Sequence, residues 1–153
     1  MKTVLGVVLG VCSGVFVYMM ATMVYMSLNP LDRPGQAFVL VLLVGGSIAS
    51  AVFLARGAAT VRTVWRRGFL LGAVEWAVSA PAGAFVAIHN ASTMLAAGKY
   101  QGTTAAAVAS GGYKLAAIGG FGTLAVAGLL FFCFTKIAPV AQVAEGATVP
   151  VTA

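Results

Sequence analysis

Charged residues are scarce in this sequence, and acidic residues are the scarcest. Asp, Glu, Lys and Arg together make up 8% of the 153 residues, whereas a soluble domain carries about a quarter. Hydrophobic residues make up 61%, which is more than a surface facing water tolerates. Much of the outer surface must therefore face lipid, and the composition predicts an integral membrane protein.

Side chains that bind metals or carry out redox chemistry are also few. The sequence has one His, and its two cysteines, Cys12 and Cys133, lie in apolar runs without a CxxC pair. A redox dithiol needs two neighbouring sulfurs, and a structural zinc site needs four ligands. We therefore predict no metal site and no cofactor. Both cysteines are expected to be buried thiols that pack as small hydrophobic side chains.

Four long apolar runs lie between the polar segments. The first, from Val4, is about twice as long as the apolar core of a signal peptide and is expected to stay as a helix. The predicted helices cover about 4–28, 36–55, 68–97 and 114–135, with a turn over 29–35 and a loop over 98–113. The prediction is an all-α, integral membrane four-helix bundle forming one domain over 1–136. Residues 137–153 are predicted to be a disordered cytoplasmic tail.

The basic residues predict the orientation of the chain. With four spans, both termini lie on one side of the membrane. Six basic residues then lie on that side and three on the other. The larger group consists of Lys2, Arg56, Arg62, Arg66, Arg67 and Lys136, and the smaller of Arg33, Lys99 and Lys114. Because Lys and Arg concentrate on the cytoplasmic side, we predict N-in/C-in placement in a bacterial or archaeal cytoplasmic (inner) membrane.

The net charge of +6 is explained by this orientation, and no nucleic-acid binding is predicted. A basic stripe interleaved with aromatic residues, typical of nucleic-acid surfaces, is missing. The polar segment between the second and third helices instead combines several arginines with a tryptophan, which suits anionic lipid headgroups or a cytoplasmic partner. The residues assigned to this contact are Arg56, Arg62, Trp65, Arg66 and Arg67.

Two helices carry small residues at four-residue spacing, the pattern that allows close contact between helices in lipid. The first helix carries Gly6, Gly10 and Gly14, and the fourth carries Gly112, Ala116 and Gly120. This pattern predicts helix packing, either within one chain or between two copies.

The third helix contains the residues that are most costly in a membrane. An uncompensated charge on Glu75 costs on the order of a few kcal/mol there, so the acid needs a polar neighbour. Counting residues along the helices places Ser13 and Ser50 at the level of Glu75, and a hydrogen bond from Ser13 or Ser50 would lower this cost. At 100° per residue, Glu75, Ser79 and His89 share one face, with Asn90 at its edge. These four form the candidate intramembrane polar site, although Glu75 and His89 are about 21 Å apart along the axis.

Three functions remain open at this point. The glycine faces and the arginine segment favour an accessory, structural or interaction subunit, whose partners are the lipid bilayer and a second copy or another membrane protein. The alternative is a proton- or cation-linked transport or permeation protein that uses Glu75. A small membrane enzyme ranks third, because the sequence offers no nucleophile–base pair and no ligand cluster, and no catalytic residue is assigned.

Overall fold

The computed structural model describes residues 1–29, 34–98 and 103–137, and their regular secondary structure is helical throughout. The four helices are α1 (Lys2–Leu28), α2 (Gln36–Ala55), α3 (Val61–Ala96) and α4 (Ala105–Lys136), and each is long and apolar enough to cross a membrane. Within α2, a π-helical stretch over Leu40–Gly45 separates two α-helical parts. The predicted all-α class and the four helices are therefore confirmed.

The predicted starts of the third and fourth helices are wrong, because a threonine caps each helix earlier in the chain. The Thr60 hydroxyl accepts a hydrogen bond of 3.3 Å from the Thr63 amide, so α3 begins seven residues before position 68. The Thr104 hydroxyl accepts one of 3.2 Å from the Ala107 amide. Since α4 begins at Ala105, most of the predicted loop 98–113 is helix.

Some predictions concern residues outside the described part of the chain. The predicted tail over 137–153 lies there except for its first residue, and so do residues 30–33 of the predicted turn.

At the carboxyl ends of α2 and α3, Gly57 and Gly98 have φ values of +65° and +62°. Glycine adopts this left-handed conformation without a steric penalty, which allows the chain to leave each helix abruptly.

The helices pack as two antiparallel hairpins. The first pairs α1 with α2, the second pairs α3 with α4, and contacts between α1 and α3 join them. Helix α4 packs chiefly against α3. We call the end that contains Lys2, Arg67 and Lys136 the basic end, and the end that contains Ser27 and Asn90 the far end.

The only cluster of buried apolar side chains in the described residues lies at the basic end. Leu54 and Val64 are fully buried there together with Ala58. Elsewhere many large apolar side chains point outward, and Ile118 and Phe121 are 72% and 77% exposed. Exposed apolar surface on this scale requires an apolar environment or a partner.

The expectation that both cysteines are buried is wrong. Cys12 is exposed and Cys133 is only half-buried. Because the outward side chains of these helices are as apolar as the inward ones, an apolar run does not indicate burial.

Candidate functional site

A polar link joins α1, α2 and α3 near the middle of α3. The Ser13 hydroxyl donates a hydrogen bond to Oε1 of Glu75. The Oγ atoms of Ser13 and Ser50 lie 2.8 Å apart. Ser13 is buried and Glu75 is half-buried. The predicted hydrogen bond between Ser13 and Glu75 is thus confirmed, and it lowers the cost of an acid among apolar helices.

The direction of the hydrogen bonds in this link depends on the protonation state of Glu75. When Glu75 is ionised it only accepts, so Ser13 donates to it and Ser50 donates to Ser13. When Glu75 is protonated it can donate to Ser13, which can then donate to Ser50. Rotation of the two hydroxyl groups therefore satisfies both protonation states.

Glu75 lines two cavities that lie on different sides of it along the helix axes. The first has a volume of about 240 Å³ and extends toward the basic end, where Leu9, Cys12 and Gly68 contribute to its wall. The second has a volume of about 590 Å³ and extends toward the far end between α1 and α3. Glu75 thus lies where the two cavities approach each other, and the wall of the second cavity is almost entirely apolar.

Aromatic side chains border the second cavity at both ends. Phe16 lines both cavities and packs against Trp76, with ring centroids 5.2 Å apart. Near the far end Tyr25 and Phe38 both line the second cavity, and their ring centroids are 5.3 Å apart. Aromatic side chains from α1 and α2 therefore stand at both ends of this cavity.

The structure does not bring the other predicted polar residues to Glu75. Ser79 lines the second cavity, but its hydroxyl donates to the Trp76 carbonyl oxygen at 2.8 Å. His89 stacks on Phe85, with ring centroids 5.5 Å apart. At the far end, Oδ1 of Asn90 accepts a 2.9 Å hydrogen bond from Ser27. The four predicted residues therefore make separate contacts along α3.

The glycine stripe of α1 lies against α2. An added Cβ would meet the facing residue at each position, in the pairs Gly6 with Ala55, Gly10 with Ala51, and Gly14 with Ser47. At Gly10 this Cβ would lie 2.5 Å from the Ala51 amide nitrogen. Because that neighbour is backbone, the helices themselves would have to separate.

The small residues of α4 divide into two groups. Gly112 and Ala116 are buried, and a Cβ on Gly112 would lie 2.5 Å from the Ala91 side chain on α3. Gly120 has open space around it, with no neighbouring atom within 4 Å of an added Cβ. The stripe Gly112, Ala116 and Gly120 therefore contacts α3 closely over only part of its length.

Arg67, one of the residues predicted to contact headgroups or a partner, makes hydrogen bonds within the bundle. Its Nη1 atom donates to the carbonyl oxygens of Phe53 and Arg56, at 3.1 and 2.6 Å. These oxygens lie at the carboxyl end of α2, where carbonyl groups lack partners within the helix. Arg67 therefore caps α2 from α3, and its positive charge complements the helix dipole.

The other four residues predicted to contact headgroups or a partner differ in their exposure. The Arg66 guanidinium lies 4.5 Å from the centroid of the Phe134 ring and so connects α3 to α4. Arg56, Arg62 and Trp65 are exposed. Only these three of the five predicted contact residues present exposed side chains for lipid headgroups or a partner.

No protein-family model, curated protein or solved structure showed a significant match to this chain. The class of protein is therefore described from its own helices. It is an all-helical protein whose four helices are long and apolar enough to cross a membrane. The residues that the structure describes contain no group of three or more His, Cys, Asp or Glu side chains placed to hold a metal ion.

The sequence reasoning missed two aromatic residues of the site. Phe16 lies one helical turn after Ser13, and this spacing could have indicated it. Phe38 belongs to another helix, and no local signal connects it to Glu75. Its position depends on how α2 packs against α1.

Proposed function

We propose that this chain is a multi-pass membrane protein that acts as an accessory or interaction subunit by binding a further transmembrane helix. One observation supports this above all. A groove of about 580 Å³ between α1, α3 and α4 is lined by Gly83, Gly111 and Gly119. None of these glycines has an atom within 4 Å of an added Cβ in the described residues. Small residues with open space around them let another helix approach closely in lipid.

The groove is also apolar enough for a membrane helix. Met20 and Met23 of α1 and Met94 of α3 form part of its wall. Methionine side chains are flexible and adapt to irregular surfaces, so this wall can fit the side chains of a partner helix. The partner is either another membrane protein or a second copy of this chain.

Association should be measured on the full chain in a mild detergent, by mass-resolved chromatography and by pull-down from the membranes of the source cell. Gly119→Leu should abolish association, because a leucine side chain fills the groove. Gly128→Leu is the matched control, since Gly128 also has open space but lies on another face of α4. Association that persists in Gly119→Leu, or no self-association and no partner for the unmodified chain, would contradict the proposal.

The proposal includes membrane insertion with both termini in the cytoplasm. Helix α3 spans 36 residues, about 54 Å, and exceeds the hydrocarbon core of about 30 Å. Its first turns, with the exposed Arg62 and Trp65, would then lie at the inner headgroups. In a Cys12→Ser, Cys133→Ser background, an impermeant maleimide should label Arg62→Cys only after the membrane is opened. The same reagent should label Thr103→Cys on intact cells, and the reverse pattern would contradict this orientation.

A second candidate function is proton- or cation-linked transport. It is favoured by the position of Glu75, which lines a cavity toward each end of the bundle. Acidic side chains inside a membrane bundle often mark proton or ion pathways. The test is flux of protons or monovalent cations into liposomes that contain the purified chain. Equal flux through the unmodified chain and Glu75→Gln would exclude Glu75 as the transport site.

A further inference from the structure

The groove between α1, α3 and α4 continues into the first cavity, and we call the two together the long groove. Trp76 lines both, and along α3 the groove runs from Met94 to Trp76 and the first cavity from Trp76 to Gly68. The combined length along α3 is about 39 Å, which exceeds the hydrocarbon core of about 30 Å. The first cavity also reaches the outer surface of α1, because Cys12 lines it and is exposed. A whole transmembrane helix therefore fits along the long groove.

One carboxyl oxygen of Glu75 faces the first cavity and therefore the long groove. Oε1 accepts the hydrogen bond from Ser13, whereas Oε2 takes part in no hydrogen bond within the described residues. Oε2 is also not among the polar atoms that are fully buried without a partner in that part of the chain. The wall of the second cavity is almost entirely apolar, whereas that of the first is partly polar. The accessible oxygen is therefore on the side of the first cavity.

No basic side chain of the described residues lines the long groove. Arg67 lies about 12 Å from Glu75 along the axis of α3 and caps α2. An ionised Glu75 is therefore costly in lipid unless a positive charge comes from outside the chain. A lysine or arginine within another transmembrane helix has the same cost. Because both charges have already left water, pairing them stabilises the two helices together.

A second copy of this chain in the same orientation does not supply that charge. The basic residues of the described helices lie at other levels of the bundle. On α4, Lys114 follows Gly112, which packs against Ala91, about 24 Å along α3 from Glu75. The observations therefore favour a helix of another membrane protein.

We propose that the partner helix carries a lysine or arginine that pairs with Glu75 in the long groove, which rests on the proposed function and specifies the chemistry of the partner. The first cavity, of about 240 Å³, has room for the end of such a side chain. Glu75 lies about 10 Å beyond Gly68, the end of the long groove nearest the basic end. The basic residue of the partner therefore lies in the third of its span nearest the basic end.

The test uses the purified full chain in nanodiscs and two synthetic transmembrane peptides of about 21 Leu and Ala residues. One peptide carries a single Lys about seven residues from one end, at the depth of Glu75, and the other carries Leu there. Energy transfer between fluorescent labels measures binding. The unmodified chain should bind the Lys peptide at least about tenfold more tightly than the Leu peptide. Folded Glu75→Gln should bind both peptides equally, and Glu75→Asp should retain part of the preference, because it keeps the charge.

Helix content measured by circular dichroism identifies variants that do not fold. If Glu75→Gln does not fold, cross-linking to the native Cys12 in a Cys133→Ser chain decides. Both peptides then carry a Cys one helical turn from the variable position. Copper phenanthroline with oxygen removes the hydrogens of the two thiols and joins their sulfurs as a disulfide. The Lys peptide should cross-link to Cys12 more than the Leu peptide, and equal cross-linking would overturn the pairing.

The outcomes separate this pairing from the proposed function. Equal binding of both peptides by the unmodified chain, with loss of both in Gly119→Leu, would overturn the pairing and leave helix binding in the groove in place. A preference for Lys that persists in folded Glu75→Gln would also overturn the pairing. A preference that depends on Glu75 but is unchanged in Gly119→Leu would support the pairing and contradict the docking of the helix at Gly119. If neither peptide binds, the pairing is overturned, and the pull-down from native membranes still tests the proposed function.

Discussion

Ser13 on α1 donates its hydroxyl hydrogen to Oε1 of Glu75 on α3, and its oxygen lies 2.8 Å from that of Ser50 on α2. One buried hydroxyl thus connects three helices. Because an acid without a donor is costly in apolar surroundings, this bond both stabilises the packing and sets the orientation of the carboxyl group. A structural role for Glu75 is compatible with a functional one.

Removal of the Ser13 hydroxyl should destabilise the bundle. Ser13→Ala removes the hydrogen bond to Glu75 and should lower the free energy of unfolding by about 1–2 kcal/mol. The measurement is the loss of helical circular dichroism in detergent on heating. Ser110→Ala is the control, since the Ser110 hydroxyl donates only within its own helix, at 3.1 Å to Ala107. If both variants unfold at the same temperature, the bond contributes nothing.

The glycine stripe of α1 should be intolerant of even one methyl group. Gly10→Ala places a Cβ 2.5 Å from the Ala51 backbone nitrogen, and relieving this clash should cost about 1–3 kcal/mol. Gly128→Ala has open space and should be neutral or stabilising by up to about 1 kcal/mol, because alanine favours helix. Unfolding titrations in mixed micelles compare the two. A Gly10→Ala variant as stable as Gly128→Ala would exclude close α1–α2 contact at this position.

Arg67 should protect the carboxyl end of α2. Arg67→Met removes the hydrogen bonds to the Phe53 and Arg56 carbonyl groups and should cost about 2 kcal/mol. Hydrogen exchange should accelerate at the last turn of α2, where the free carbonyl groups allow fraying. Arg62→Met should change neither quantity, because Arg62 is exposed. Matching exchange in the two variants would argue against the cap.

The early start of α4 gives a prediction about its first turn. Thr104→Ala removes the hydroxyl that accepts the Ala107 amide, at a cost of about 1 kcal/mol. Amide exchange at Ala107 should become faster, since this donor loses its partner. Thr103→Ala, one residue earlier, should leave exchange at Ala107 unchanged. Fast exchange throughout 105–113 in the unmodified chain would instead support the loop predicted from the sequence.

The existence of the helices and the level of the polar link can be predicted from local sequence. Apolar runs of sufficient length predict helices, and counting residues along them placed Ser13 beside Glu75. Local residues also mark the starts of α3 and α4, namely the capping threonines Thr60 and Thr104. A prediction from composition does not detect them. An Ala- and Gly-rich segment is easily predicted to be a loop when the residue that caps its helix is not considered.

Which helix faces meet depends on how the helices pack and could not be predicted from the sequence. The tertiary structure directs Gly10 toward α2, pairs Asn90 with Ser27 and stacks His89 on Phe85. It also forms the cavity beside Glu75 from residues of three helices. The physical reason is that inward and outward side chains of these helices are equally apolar. Their pattern therefore carries little information about helix rotation, which is fixed by close contact and by a few hydrogen bonds.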